Sequence, residues 1–196
     1  MFSEKWLGGT FFFMRGYTNR CTTGYFFATL ACQLASNFPS IQSEVNEAIR
    51  KKPSILDPNK PLPEQIEVLF LEPLWRLQLR LHERPPLVFV ADALDECASE
   101  AEIVDLISLL GEALRDPDLP VIHILLTSRS EAYIREAMRK EGTRPLVHEI
   151  PVKTSGEGAT SISPDGADVD NDICILKAFV HNAAKSLSRL PPANAI

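Results

Sequence analysis

Leu87-Val88-Phe89-Val90-Ala91-Asp92-Ala93-Leu94-Asp95-Glu96 is an apolar run that empties into three carboxylates within five residues. Arg84-Pro85-Pro86 stands in front of it, a breaker that helices do not cross, and the apolar part is too short to be a helix. It reads as a central strand. The same pattern returns after Pro120, where Val121 to Leu126 is apolar and discharges Thr127-Ser128-Arg129. Between the two lies the stripe Ile103, Leu106, Ile107, Leu110 and Leu114, spaced for the buried face of a helix. Strand, helix, strand in this rhythm indicates an α/β parallel sheet with right-handed crossovers.

Working outward, Gly8 to Gly16 is an aromatic-rich apolar run bounded by glycines, read as a strand buried on both faces. Phe26, Leu30, Leu34 and Phe38 mark a core-facing helix from Thr22 to Asn37, with Pro39 as its stop and Ser40 as the N-cap of a second helix from Ile41 to Lys51. Pro53 to Pro63 reads as a loop, Pro63 to Leu81 as a helix, Glu131 to Glu141 as a short helix, and Val147 to Pro151 as a last strand. Thr154 to Asp170, rich in Ser, Gly, Asp and Pro, reads as disordered. From Asp170 to about Pro191 the positions of Ile173, Leu176, Phe179, Val180 and Ala183 suggest a helix.

At 196 residues, 45% hydrophobic and 23% charged, the chain has the balance of a globular protein able to bury a core. A net charge of −6 leaves no basic face with which to displace counterions from a nucleic acid. No stretch approaches the roughly 18 apolar residues of a membrane span, and no signal core follows Met1. Cys21, Cys32, Cys97 and Cys174 lack CxxC spacing and read as reduced thiols of a cytoplasmic protein.

An acid at the carboxyl end of a parallel strand stands where open α/β sheets bind ligands. There Asp92 is placed to hold Mg²⁺ against nucleotide phosphates. Glu96 first and Asp95 second are the candidates to polarise an attacking water, and Arg129 to sense or neutralise a terminal phosphate, with the Thr127 and Ser128 hydroxyls beside it. The competing structural reading has Asp92 capping the next turn, Asp95 and Glu96 solvated at a helix N-terminus, and Arg129 paired with a surface acid. His123 and His148 read as core residues on strands, and His82 and His181 as surface residues. Lys5, Arg15 and Arg20 read as solvated cations, and Phe11, Phe12, Phe13, Tyr25, Phe26 and Phe27 as core packing. None of the nine glycines is followed by lysine, so GxxxxGK[ST], the loop whose backbone N–H groups and lysine cradle phosphates, does not occur.

Gly9-Thr10-Phe11-Phe12-Phe13-Met14-Arg15-Gly16, Leu30-Ala31-Cys32-Gln33-Leu34-Ala35, Val90-Ala91-Asp92-Ala93-Leu94-Asp95-Glu96-Cys97 and Leu126-Thr127-Ser128-Arg129 together resemble, in order and spacing, the NACHT domain of fungal STAND-class P-loop NTPases. The resemblance runs from Trp6 to Pro151 and resumes at Asp168 to Ile173, similar to the family's junction into a helical region. It implies a P-loop NTPase-type parallel sheet flanked by helices and lacking its first, P-loop strand. Asp92 would be the Walker B metal residue, Asp95 and Glu96 its acidic companions, and Arg129 a sensor-like arginine. The complete family member binds ATP or GTP with Mg²⁺, hydrolyses it slowly and couples its state to oligomerisation in intracellular signalling.

The resulting division is a partial NACHT domain over residues 1–151, a disordered insertion over 152–169, and the start of a helical region over 170–196. In the family's sheet the P-loop strand lies between the Val121 and Val147 strands, so its loss is expected to leave backbone groups uncovered and the chain poorly stable. The leading expectation is a fragmentary nucleotide-binding domain that handles nucleotide weakly by itself, its partners a nucleotide and further NACHT proteins or copies of itself. The alternative is a non-enzymatic pseudo-NTPase interaction module. A metal hydrolase built on the acidic cluster comes third, since no histidine stands at ligand spacing near Asp92.

Overall fold

The computed structural model describes residues 6–81, 85–152 and 174–180. Strands β1 (Leu7–Phe12), β2 (Leu87–Asp92), β3 (Ile122–Ser128), β4 (Val147–Val152) and β5 (Cys174–Val180) form one sheet in the order β1-β2-β3-β5-β4. β1, β2 and β3 pair in parallel, Phe11 opposite Ala91 and Phe89 opposite Ile124. The expected α/β architecture is therefore present, with helices α1 (Phe26–Asn37), α2 (Pro39–Lys51), α3 (Leu62–Ile66), α4 (Glu72–Leu81), α5 (Glu100–Ala113) and α6 (Ala132–Arg139) flanking the sheet.

Alternation along the strands sorts the two faces. Leu87, Phe89 and Ala91 of β2 and Ile122, Ile124 and Leu126 of β3 are buried, while Val88, Val90, His123, Leu125 and Thr127 are half-buried. On the buried face an aromatic chain runs from Phe11 to Phe26 (5.3 Å between ring centres), Phe27 (5.1 Å), Phe70 (5.8 Å) and Phe89 (4.9 Å), tying β1, α1 and the α3–α4 rod to β2. Each ring so buried contributes on the order of 1.5–3 kcal/mol. Gly8 admits Phe89 to this stack, because a Cβ at position 8 would meet its ring at 2.5 Å. The α3–α4 rod widens to a π turn over Glu67–Leu71, where Glu72 N–H reaches back to Glu67 C=O. Pro73 has no N–H to give the carbonyl four residues behind it, so regular i→i−4 bonding cannot continue there.

Several expectations are corrected. β1 is an edge strand, not one buried on both faces: Phe11 and Phe13 face the core and Phe12 is 47% exposed, so Phe12 leaves the proposed core cluster. Pro39 opens α2 at its first position, where a missing N–H costs nothing, and Ser40 lies inside the helix instead of capping it. His148 is exposed and His123 half-buried, so neither is a core histidine.

The largest departure is β5. Residues 174–180, expected to be helical, form a strand antiparallel to both β3 and β4, with Ile175 opposite Ser128 and Val152 opposite Cys174. It fills the place between the Val121 and Val147 strands where an open gap was expected. The spacing of Leu176, Phe179 and Val180 fits a helical face, but the sheet offers two rows of backbone groups to whichever segment pairs with them. The rest of the expected C-terminal helix, the junction at 168–173, the 153–169 part of the insertion, Lys5, His82 and His181 lie outside the described residues.

Candidate functional site

β2 and β3 end side by side, and their carboxyl ends carry the polar residues singled out in the sequence. Asp92 is the last residue of β2, and its backbone carbonyl still accepts a sheet-like bond from Phe13 N–H at 3.0 Å. The chain then turns sharply. Ala93 sits in the left-handed region at φ 58°, ψ 52°, and Leu94–Glu96 make one 3-10 turn. Thr127 braces that corner: its hydroxyl donates to Asp92 Oδ1 and accepts from Ala93 N–H at 3.0 Å.

The acids have different partners. Asp95 is buried at 8% exposure; its Oδ1 accepts the Arg129 backbone N–H at 3.0 Å and its Oδ2 lies 3.0 Å from Arg129 Nε. Glu96 is partly exposed, accepts the Arg15 backbone N–H at 2.8 Å through Oε2, and stands 3.9 Å from Arg129 Nη2 through Oε1. Arg15, read from the sequence as a solvated cation, donates from Nη2 to the Asp95 carbonyl at 2.9 Å and so joins the turn after β1 to the acidic turn. Ser128 is buried and its hydroxyl donates to the Arg129 carbonyl at 2.7 Å. Burial, helped by the carboxylates of Glu131, Glu100 and Asp95, pushes the nearby Tyr133 phenol up to about 12, so it stays protonated.

Asp92, Asp95, Glu96, Thr127, Ser128 and Arg129 are thus gathered at one edge of the sheet, but in two groups. Asp95 and Arg129 hold one another, with Glu96 3.9 Å from the guanidinium and hydrogen-bonded instead to Arg15, an addition that the sequence did not signal. Asp92 and Thr127 form the other pair, and among the described residues nothing donates to Asp92 Oδ2. A carboxylate with one uncommitted oxygen beside a hydroxyl suits a hard divalent cation, which takes few protein ligands and completes its shell with water or phosphate oxygens. Among the described residues no three His, Cys, Asp or Glu side chains converge as a self-sufficient metal cage. The hydroxyls meant for phosphate are already engaged, and no phosphate-cradling glycine loop occurs in the sequence. The edge therefore fits a cation better than it fits a triphosphate.

A second constellation lies apart from this edge. Glu102 on α5 accepts from Thr22 Oγ at 2.8 Å, Thr23 N–H at 2.8 Å and Thr23 Oγ at 2.9 Å. Burial acts to raise this carboxyl, but the three donors outweigh it and hold it below the usual carboxylate value. Glu102 also lines a cleft of about 610 Å³ with Lys60 and Asp105, to which none of the residues of the sheet edge contributes.

No helix among the described residues is long and apolar enough to cross a membrane. No curated protein and no solved structure matches the chain. One family does: the family model described as nephrocystin 3, N-terminal, matches residues 3–129, which takes in β1, β2, β3 and every residue of the carboxyl edge from Asp92 to Arg129. On that match the chain belongs to the nephrocystin 3 N-terminal family.

Proposed function

We propose that this chain carries the cation-binding side of a NACHT-related nucleotide switch of the P-loop type, and that these 196 residues alone handle nucleotide weakly. The observation that supports it most is the Asp92–Thr127 pair at the carboxyl end of adjacent parallel strands, with one carboxylate oxygen uncommitted. In this reading Asp92 is the Mg²⁺ residue. Arg129, held by Asp95 and Glu96 at 59% side-chain exposure, presents its remaining donors towards a terminal phosphate. Asp95 positions Arg129 more than it activates water, because both its oxygens are already engaged, whereas Glu96 keeps Oε1 at 3.9 Å from the guanidinium and is the acid left to polarise a water. ATP or GTP is the ligand class, and the phosphate cradle comes from residues other than these 196.

The test is binding of a fluorescent ATP analogue with Mg²⁺ to the purified chain and to a version fused to a GxxxxGK[ST] strand–loop segment, each with and without Asp92→Ala. Binding that appears or tightens at least tenfold on fusion and is lost in Asp92→Ala supports the proposal. Tight binding that Asp92→Ala leaves unchanged, in a chain folded by circular dichroism, rules it out.

A second reading, a pseudo-NTPase interaction module, draws on the edge strand. Leu7, Phe12, Met14 and Tyr17 on and after β1 are exposed apolar side chains. It requires association with a partner that Asp92→Ala does not affect.

A further inference from the structure

Two cysteines unused by the candidate site lie against one another at its flank. Cys21 closes the turn after β1, its N–H bonded to the Tyr17 carbonyl at 2.9 Å, and Cys97 closes the acidic turn, its N–H bonded to the Leu94 carbonyl at 3.1 Å. The Cys21 carbonyl accepts the Ala98 N–H at 2.7 Å and the Cys97 S–H at 3.5 Å. The Cys97 sulfur thus already touches the Cys21 backbone, and one hydrogen bond joins the two segments at the residue next to Cys97, the kind of close approach that a disulfide requires. Both are free thiols, Cys97 buried at 6% and Cys21 half-exposed, with its S–H turned to the Thr18 carbonyl at 3.7 Å.

We propose that Cys21 and Cys97 form a reversible disulfide when the protein meets hydrogen peroxide, locking the turn after β1 to the acidic turn that holds Arg129. Exposure decides the order of events. Cys21 is the thiol that peroxide reaches, whereas burial, with the Glu102 carboxylate and Cys21 as smaller contributors, pushes the Cys97 thiol up and keeps it protonated. The Cys21 sulfur attacks one peroxide oxygen as it gives up its proton, the O–O bond breaks, and the departing hydroxide takes up that proton as water, leaving a sulfenic acid on Cys21. The Cys97 sulfur then attacks the Cys21 sulfur, the S–O bond breaks, and the departing hydroxide takes up the Cys97 proton as a second water. Two thiols and one peroxide become one disulfide and two waters. The bridge makes covalent a junction already spanned by Arg15 to Glu96, Arg15 to the Asp95 carbonyl and Phe13 to the Asp92 carbonyl. It does not depend on the site binding nucleotide.

The experiment treats the full chain with hydrogen peroxide, unfolds it in N-ethylmaleimide, digests it without reductant and identifies linked peptides by mass spectrometry. The expected result is a Cys21–Cys97 peptide pair within one chain. Dithiothreitol abolishes it, Cys32→Ser leaves it intact, and in Cys97→Ser it is replaced by a Cys21 sulfenic acid that dimedone traps. The proposal is overturned if wild-type Cys21 is oxidised while Cys97 is recovered as the alkylated thiol. It is equally overturned if Cys21 is linked to Cys32, to Cys174 or only to another copy, or if Cys21 does not react. The decisive readings come from the wild-type chain, so a folding defect in the serine variants does not blur them.

Discussion

Asp95 holds Arg129 twice, accepting its backbone N–H at 3.0 Å through Oδ1 and facing its Nε at 3.0 Å through Oδ2. A bond to the backbone at the end of β3 shapes the chain, whereas a bond to the guanidinium only aims a side chain. The exposed guanidinium half of the pair is screened by solvent and adds little to stability. The amide half is different, since a buried carboxylate that leaves strands a donor.

Asp95→Ala is accordingly expected to destabilise the fold by about 1–3 kcal/mol, the cost of an amide without an acceptor. Asp92→Ala removes only the Thr127 contact, and the freed hydroxyl can rotate to water, so its cost is expected to stay below about 1 kcal/mol. Urea denaturation followed by circular dichroism measures both. Equal losses would mean that Asp92 is a structural residue like Asp95, and would leave the cation reading without its residue.

Gln33 covers the open edge of β1. Its Oε1 accepts Thr10 N–H at 2.8 Å and its Nε2 donates to the Thr10 carbonyl at 2.8 Å, so one carboxamide on α1 answers both outward-pointing groups of an edge residue. An unpaired edge invites another chain. Gln33→Ala is expected to cost about 1–3 kcal/mol and to raise aggregation, read by light scattering at matched folded fraction. Gln33→Glu keeps the acceptor, loses the donor and sets a carboxylate against the Thr10 carbonyl, so it is expected to be no better than alanine at neutral pH. A glutamate variant as stable as wild type would show that the Nε2 bond contributes nothing.

These contacts mark how far the sequence could be read. β2 and β3 were legible because each is an apolar run too short for a helix, standing behind a proline and discharging polar residues at its end. The gathering of Asp92, Asp95, Glu96, Thr127 and Arg129 followed from strand direction alone. Arg15 was not legible: its partner Asp95 is 80 residues away, and nothing local to a loop arginine announces such a bond. β5 was misread for a related reason. Cys174-Ile175-Leu176-Lys177-Ala178-Phe179-Val180 satisfies both a helical and an extended spacing, and the sheet, not the segment, decides between them. The division of the acids into a satisfied group and a spare one depends on side-chain partners across the strand ends, which spacing does not encode.

Glu102 gives the fold a specific sensitivity to acid. Because its folded-state carboxyl lies below the ordinary value of 4.5, the stability it contributes is fully present above that value and is lost as pH falls through the folded one. As pH falls below about 4.5 the wild-type Tm is expected to fall more steeply than that of Glu102→Gln, which has no charge to lose there. Glu47, Asp57 and Glu64 are also lowered, by surface partners, but they act equally in both proteins and cancel in the difference. Parallel Tm curves would show that the three threonine donors do not distinguish the charged form from the neutral one.

Ala93 is where the corner between β2 and the acidic turn is forced. It is the one described non-glycine residue with a positive φ, at 58°, and it is held there by the bond from its N–H to Thr127 Oγ at 3.0 Å. For an L-residue that conformation costs roughly 1–2 kcal/mol, which glycine escapes and a β-branched side chain makes worse. Ala93→Val is therefore expected to lose more than about 1 kcal/mol relative to wild type, while Ala93→Gly stays within about 1 kcal/mol of it, strain relief being offset by greater freedom of the unfolded chain. Chemical denaturation of the two variants beside wild type checks the ordering. The reverse order would mean that Ala93 is not left-handed in solution, and then Thr127 does not brace the corner that presents Asp92.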